Sequence, residues 1–186
     1  MNIGIYGSAL GGITAELVDK AREVGEAVVS RNHTIIMGAC PGLPYEAVLG
    51  AQKYAGGSAR VIGFSPGVNL EDHVKRFEFP TEGITDFRFL PPNYSDVRKE
   101  VCLKTRNVSS VAESDAAIFI SGRIGTLNEL TIAYDLGINI GLVNGTGGVT
   151  GVALYLIEKL CKLSRSNMFY DSSPEKLVSQ LEAVSS

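Results

Sequence analysis

An apolar run, Ala116–Ile120, leads directly into Ser121-Gly-Arg-Ile-Gly-Thr-Leu-Asn-Glu129 and then into the helical pattern Leu130–Leu136. The order is buried strand, glycine turn, helix start. It recurs along the chain: the apolar stretch Asn2–Tyr6 is followed by Gly7-Ser-Ala-Leu-Gly-Gly12, and Thr34–Met37 by Gly38-Ala-Cys-Pro-Gly42. Short apolar strands alternating with helical patterns restrict the chain to one fold class. That class is α/β: a doubly wound, mainly parallel, Rossmann-like sheet with helices on both faces. Ligands of such sheets bind beyond the carboxyl ends of the strands, where the winding direction reverses.

The pattern predicts strands at Asn2–Tyr6, Thr34–Met37, Arg60–Phe64, Ala116–Ile120 and Asn139–Val143, with a short last strand at Asn167–Tyr170. Helices are expected over Ile13–Ser30, Tyr45–Tyr54, Ser95–Glu113, Thr126–Leu136 and Thr150–Leu163. A final helix opens at Ser173-Pro174, with serine at the cap and proline at the first helical position. Pro66–Pro92 reads as irregular, with a β-like Thr85–Leu90. Residues 1–186 read as a single nucleotide- or phosphate-binding domain, without repeats or a linker.

Composition narrows the partners. The charged fraction is 20% and the net charge −3, which gives no global attraction to nucleic acid or to an acidic membrane. No apolar run has membrane-spanning length, and no basic segment precedes a signal core, so a cytoplasmic protein is expected. Cys40, Cys102 and Cys161 are odd in number and widely spaced, which suits thiols in a reducing compartment. His33 and His73 have no partner at ligand spacing, so neither a metal nor a resident cofactor is expected. Standard NAD binding is disfavoured too. Gly7–Gly12 lacks the G-x-G-x-x-G spacing, and no acidic residue closes the strand ending at Met37.

The turn after Ile120 places free backbone N–H groups and the positive end of a helix dipole at one point, an anion site. Gly122, Gly125 and Thr126 are its expected phosphate contacts. Thr126-x-x-Glu129 reads equally as a capping box without a ligand. Arg106 reads as a fork for carboxylate or phosphate, or as an ordinary ion pair. Arg123 either adds charge to an anionic ligand or points to solvent. The phenylalanines at 77, 79, 87 and 89 offer surfaces for a lid, a base pocket, a core or a dimer contact.

Together these residues resemble the Lonely Guy, or "lysine decarboxylase-like", family of the SLOG superfamily. The resemblance spans Ile3 to Val143. It includes Gly7-Ser8, Gly38-x-x-Pro-Gly-Leu-x-x-Glu-Ala47, Gly56-Gly57 before Val61-Ile-Gly-Phe-Ser-Pro66, Arg106-Asn107, Ser114-Asp-Ala116 and Gly122-x-x-Gly-Thr-x-x-Glu129. It implies hydrolysis of the N-glycosidic bond of a nucleoside 5′-monophosphate, giving free base and ribose 5-phosphate. Glu129 and Arg106 would be catalytic, and Gly7, Ser8, Gly38, Gly42, Gly122, Arg123, Gly125 and Thr126 would hold substrate. The resemblance also implies a homodimer or larger assembly. The family signature Pro-Gly-Gly-x-Gly-Thr-x-x-Glu is altered here: Ser121 replaces proline, Arg123 replaces the second glycine, and Asn107 follows Arg106 in place of lysine. Such departures resemble prokaryotic-type branches that bind nucleotides or cofactors without known catalysis, so a carrier or sensor is the alternative. Nothing resembles a pyridoxal-phosphate decarboxylase.

Overall fold

The computed structural model describes residues 1–160 and 163–185; Cys161 falls outside them. One seven-stranded sheet runs β4-β3-β2-β1-β5-β6-β7. Its strands are β1 (Asn2–Gly7), β2 (Thr34–Met37), β3 (Val61–Phe64), β4 (Asp86–Arg88), β5 (Ala116–Ile120), β6 (Asn139–Val143) and β7 (Met168–Asp171). Every pairing is parallel. The helices are α1 (Ala15–Ser30), α2 (Leu43–Tyr54), α3 (Leu70–Lys75), α4 (Lys99–Ala112), α5 (Ile124–Leu136), α6 (Gly148–Leu160) and α7 (Pro174–Val184).

The chain winds outward from β1 to β4, then crosses back to start β5 on the other side of β1. The register from Ile3↔Ala116 to Gly7↔Ile120 sets the two strand ends level. The loops leaving them turn to opposite faces of the sheet, which opens a crevice at their carboxyl edge. β5 shows why the sequence signal is continuous apolarity. Ala116, Ile118 and Ile120 enter the core under α1, α2 and α7, while Ala117 and Phe119 enter the core under α5 and α6. Both faces are covered, so period-two alternation carries no polar half.

Local signals fix several helix ends. Thr14 caps α1 by accepting from the N–H of Leu17 at 3.4 Å. Ser173 caps α7 by accepting from the N–H of Lys176 at 3.3 Å, with Pro174 next. Two differences from expectation matter. The segment after Pro66 contains α3, capped by Asn69, and a 3₁₀ turn at Pro92–Tyr94. Both are too short for apolar periodicity to register. In addition α5 begins at Ile124, ahead of Thr126.

The phenylalanine-rich segment packs partly inward: Phe77 is buried, Phe79 and Phe87 are half-buried, and Phe89 is exposed. His73 is fully buried, donates through Nε2 to the carbonyl of Pro80 at 3.1 Å, and accepts from the Ser65 hydroxyl at 2.9 Å. Phe79 and Phe87 meet its ring edge-on. Burial lowers the His73 pKa, so it stays neutral and structural. No helix among the described residues is long and apolar enough to cross a membrane.

α1 and α2 touch through backbone. A Cβ on Gly25 would collide with the carbonyl of Ala47, and one on Gly50 with that of Arg22. Gly25→Ala should therefore lower stability in urea by about 1–3 kcal/mol or more, as overpacking does. Gly151→Ala, on α6 where a Cβ meets nothing within 4 Å, should raise it by about 0.5–1 kcal/mol.

Candidate functional site

The turn after β5 is built from two left-handed residues, Ser121 (φ 53°) and Gly122 (φ 104°). It is braced by the loop after β6. The Ser121 N–H donates to Thr146 Oγ1 at 2.8 Å, and Thr146 Oγ1 donates to the carbonyl of Val143 at 2.7 Å. The carbonyl of Gly122 accepts from Val149 N at 2.9 Å. Proline cannot take a positive φ and has no N–H to give Thr146. Ser121 is thus structurally incompatible with the prolyl turn of the Lonely Guy signature.

Arg123 is the N-cap residue of α5 and makes no side-chain cap. Thr126 lies inside the first turn, so Thr126 and Glu129 do not form a capping box. The leading N–H groups of α5 are left without a side-chain acceptor at the crevice. Thr126 is buried against Gly122, where a Cβ would strike its side chain.

The floor is an ion pair between α4 and α5. Arg106 and Glu129 are 5% and 7% exposed, with Nη1 and Oε1 3.6 Å apart, longer than a hydrogen bond. Arg106 Nε is buried and has no hydrogen-bond partner. Gly38, at the end of β2, makes this possible: a Cβ there would coincide with Arg106 Nη1. With its amide nitrogen turned inward, Asn107 donates to Leu103 O at 2.9 Å and to Glu129 Oε1 at 3.3 Å. Burial pushes the Glu129 pKa up to about 7, against the opposing pull of Arg106 and Lys104. Burial likewise raises the Cys40 thiol.

The crevice measures about 190 Å³. Of the residues singled out in the sequence, Gly7, Ser8, Arg106, Arg123, Gly125, Thr126 and Glu129 line it. Gly38, Gly42 and Gly122 do not; they shape its walls. Gly42 (φ 86°) packs on the Ser8–Ala9 backbone, and the Leu43 N–H donates to Ser8 O at 2.9 Å. Sequence reasoning missed Ala9, Cys40, Leu103, Lys104 and Asn107 in the lining. Leu103 was open to discovery, since it lies one helical turn before Arg106 and Asn107. No group of three or more His, Cys, Asp or Glu among the described residues is placed to hold a metal.

The model of the SLOG cluster4 family matches residues 1–178. This chain belongs to that family. No curated protein matches it in sequence. Solved structures share the fold of this SLOG protein at low identity. The molybdenum cofactor binding protein of Rippkaea orientalis superposes with a TM-score of 0.72 at 19% identity, covering 100% of this chain and 97% of that one. The molybdenum cofactor carrier protein of Chlamydomonas reinhardtii gives 0.69 at 16%, covering 98% of each. DNA processing protein A of Helicobacter pylori, described as binding single-stranded DNA, gives 0.62 at 16%, covering 98% and 81%.

Arg106 and Glu129 give this SLOG site a distinct pH signature. Glu129 rises from 4.5 unfolded to about 7 folded, so between those values the folded state holds a proton that the unfolded state has released. Its stabilising contribution is complete below 4.5, declines as pH rises through that window and is flat above it. Denaturant unfolding across this range should show wild-type stability falling relative to Glu129→Gln. Parallel curves would contradict the assignment.

Proposed function

We propose that the crevice between β1 and β5 binds a phosphorylated small molecule, a nucleotide or a phosphorylated cofactor, and that the protein acts as its carrier or sensor. One observation carries this reading: the uncapped start of α5 opens beside a buried arginine, Arg106, whose Nε has no partner. Backbone donors at a helix N-terminus and a guanidinium suit a phosphate, which supplies the missing acceptors. In this reading Gly125, Thr126 and the Gly7–Ser8 backbone hold the phosphate. Arg106 anchors it, and Gly38, Gly42 and Gly122 keep the space. The cofactor-binding proteins of the same fold support a carrier. So does the turn at Ser121, which departs from the hydrolase signature in backbone as well as sequence.

Glu129 favours a second reading, a phosphoribohydrolase. A carboxyl group lining the crevice and titrating near neutrality is equipped to protonate a departing base, then as carboxylate to stabilise the sugar cation or activate water. Arg106 would orient it.

The net charge of −3 gives no global attraction to nucleic acid, but it does not exclude local basic sites. Lys104, Arg106 and Arg123 in the crevice lining, together with the single-stranded-DNA description of a protein of this fold, put an oligonucleotide among the ligands to titrate. We also propose a cytoplasmic homodimer. The apolar groove between α5 and α6, about 380 Å³ and lined by Leu127, Leu130, Tyr134, Leu156, Ile157 and Leu160, supports it as the face a second copy covers.

Calorimetric titration with AMP beside chromatography for free base separates the readings. Thr126→Val should weaken binding by about 1.5–3 kcal/mol, the worth of a hydrogen bond to a charged group. A carrier releases no base, and Glu129→Gln alters affinity only. A hydrolase releases base, and Glu129→Gln keeps binding while turnover falls steeply. Wild-type protein that binds no phosphorylated ligand contradicts both.

A further inference from the structure

The Arg123 side chain has no role in the ion pair, the helix cap or the brace at Thr146. It is exposed at the start of α5 and lines the crevice. No salt bridge or hydrogen bond engages its guanidinium among the described residues. Its Nη1 lies 3.4 Å from where a Cβ on Gly11 would stand, in the loop leaving β1. Gly11 has φ 69°, so a side chain is disfavoured there and the approach stays open. Arg106 is fixed elsewhere, against Gly38 at the end of β2. The crevice therefore has two guanidinium groups carried by different segments, one in the floor and one at the rim. Lys104 adds a third cation to the lining, and Glu129 is the one carboxylate there.

We propose that the site selects a ligand with two linked phosphate groups, a diphosphate ester, and that Arg123 is the residue that reads the second phosphate. This rests on the phosphate reading given above and narrows it. The first phosphate occupies the floor, at the start of α5 and Arg106. The second lies at the rim, where Arg123 meets it with the planar fork that matches phosphate oxygens. The charge balance agrees. Three cations against one carboxylate, itself pushed to a pKa of about 7, leave an excess that a single phosphate only partly neutralises. The size agrees as well. At about 190 Å³ the crevice is below the roughly 300–1,000 Å³ of pockets that enclose whole ligands. It accommodates the charged end and leaves the remainder of the molecule outside the rim.

The test is calorimetric titration of the full chain with AMP, ADP, inorganic phosphate and pyrophosphate, on wild type, Arg123→Ala and Arg123→Lys. Wild type should prefer ADP to AMP, and pyrophosphate to phosphate, by about tenfold or more, the yield of one charge-assisted hydrogen-bond pair. Arg123→Ala should bring ADP down to the AMP level and leave AMP affinity unchanged; Arg123→Lys should retain part of the preference. Because the Arg123 side chain makes neither cap nor ion pair, the unfolding midpoint should not move, and that control accompanies the titrations. Equal wild-type affinity for ADP and AMP overturns the proposal. So does an Arg123→Ala loss that is as large for AMP as for ADP, which means both arginines grip one phosphate. If none of these ligands binds wild type, the phosphate reading itself fails, and this inference with it.

Discussion

The pairing of β1 with β5 is the constraint on which the rest depends. These strands are far apart in sequence, yet their register brings Gly7 level with Ile120. The chain winds away from this line in both directions, so the loop after β1 and the turn after β5 diverge and leave an opening that no strand connection covers. A Cβ on Gly7 would stand 2.6 Å from the carbonyl of Ile120. Glycine there lets the two backbones stay in contact up to the mouth of the crevice. The brace from Thr146 to Ser121 then holds the second wall from the far side.

Within that opening, electrostatics and space are set together. Removing a guanidinium and a carboxylate from water can cost more than a 3.6 Å ion pair returns. The raised Glu129 pKa expresses this: desolvation outweighs Arg106 even at contact range. The pair is therefore poor as a stabilising device. Its Nε lacks an acceptor, its carboxyl is near half-protonation at neutral pH, and it faces an open crevice. In the proposed reading, an incoming anion supplies the acceptor that Arg106 Nε lacks. Gly38 is the device that keeps it there, through the absence of a side chain rather than through a contact.

Much of this was legible in the sequence. The strand–glycine–helix grammar was enough to give the parallel sheet, and Ser173-Pro174 marked the start of α7 to the residue. Helix starts in the glycine turns were less legible. Gly125 has weak helix propensity, so Thr126 looked like the cap, whereas the helix begins earlier and Thr126 packs on Gly122. The glycines were recognised as important, but their separate tasks were not. Gly7 and Gly125 line the crevice, while Gly38 and Gly42 clear space for Arg106 and for the Ser8–Ala9 backbone. Such tasks depend on which distant atom fills the vacancy, and local spacing carries no record of that. The phenylalanines of the 66–92 segment were ambiguous for the same reason. Only the fold places His73 against Phe79 and Phe87, buries Phe77 and leaves Phe89 exposed.

The central claim is that Arg106, seated over Gly38, anchors an anionic ligand. The most direct test is ADP binding to Gly38→Ala by calorimetry, with circular dichroism and cooperative unfolding as controls for the fold. Gly38 does not line the crevice, so a merely local role predicts no change. Because a Cβ would occupy the site of Arg106 Nη1, a folded variant with affinity lower by about tenfold or more is expected. A folded Gly38→Ala protein that binds ADP as wild type does would contradict the account.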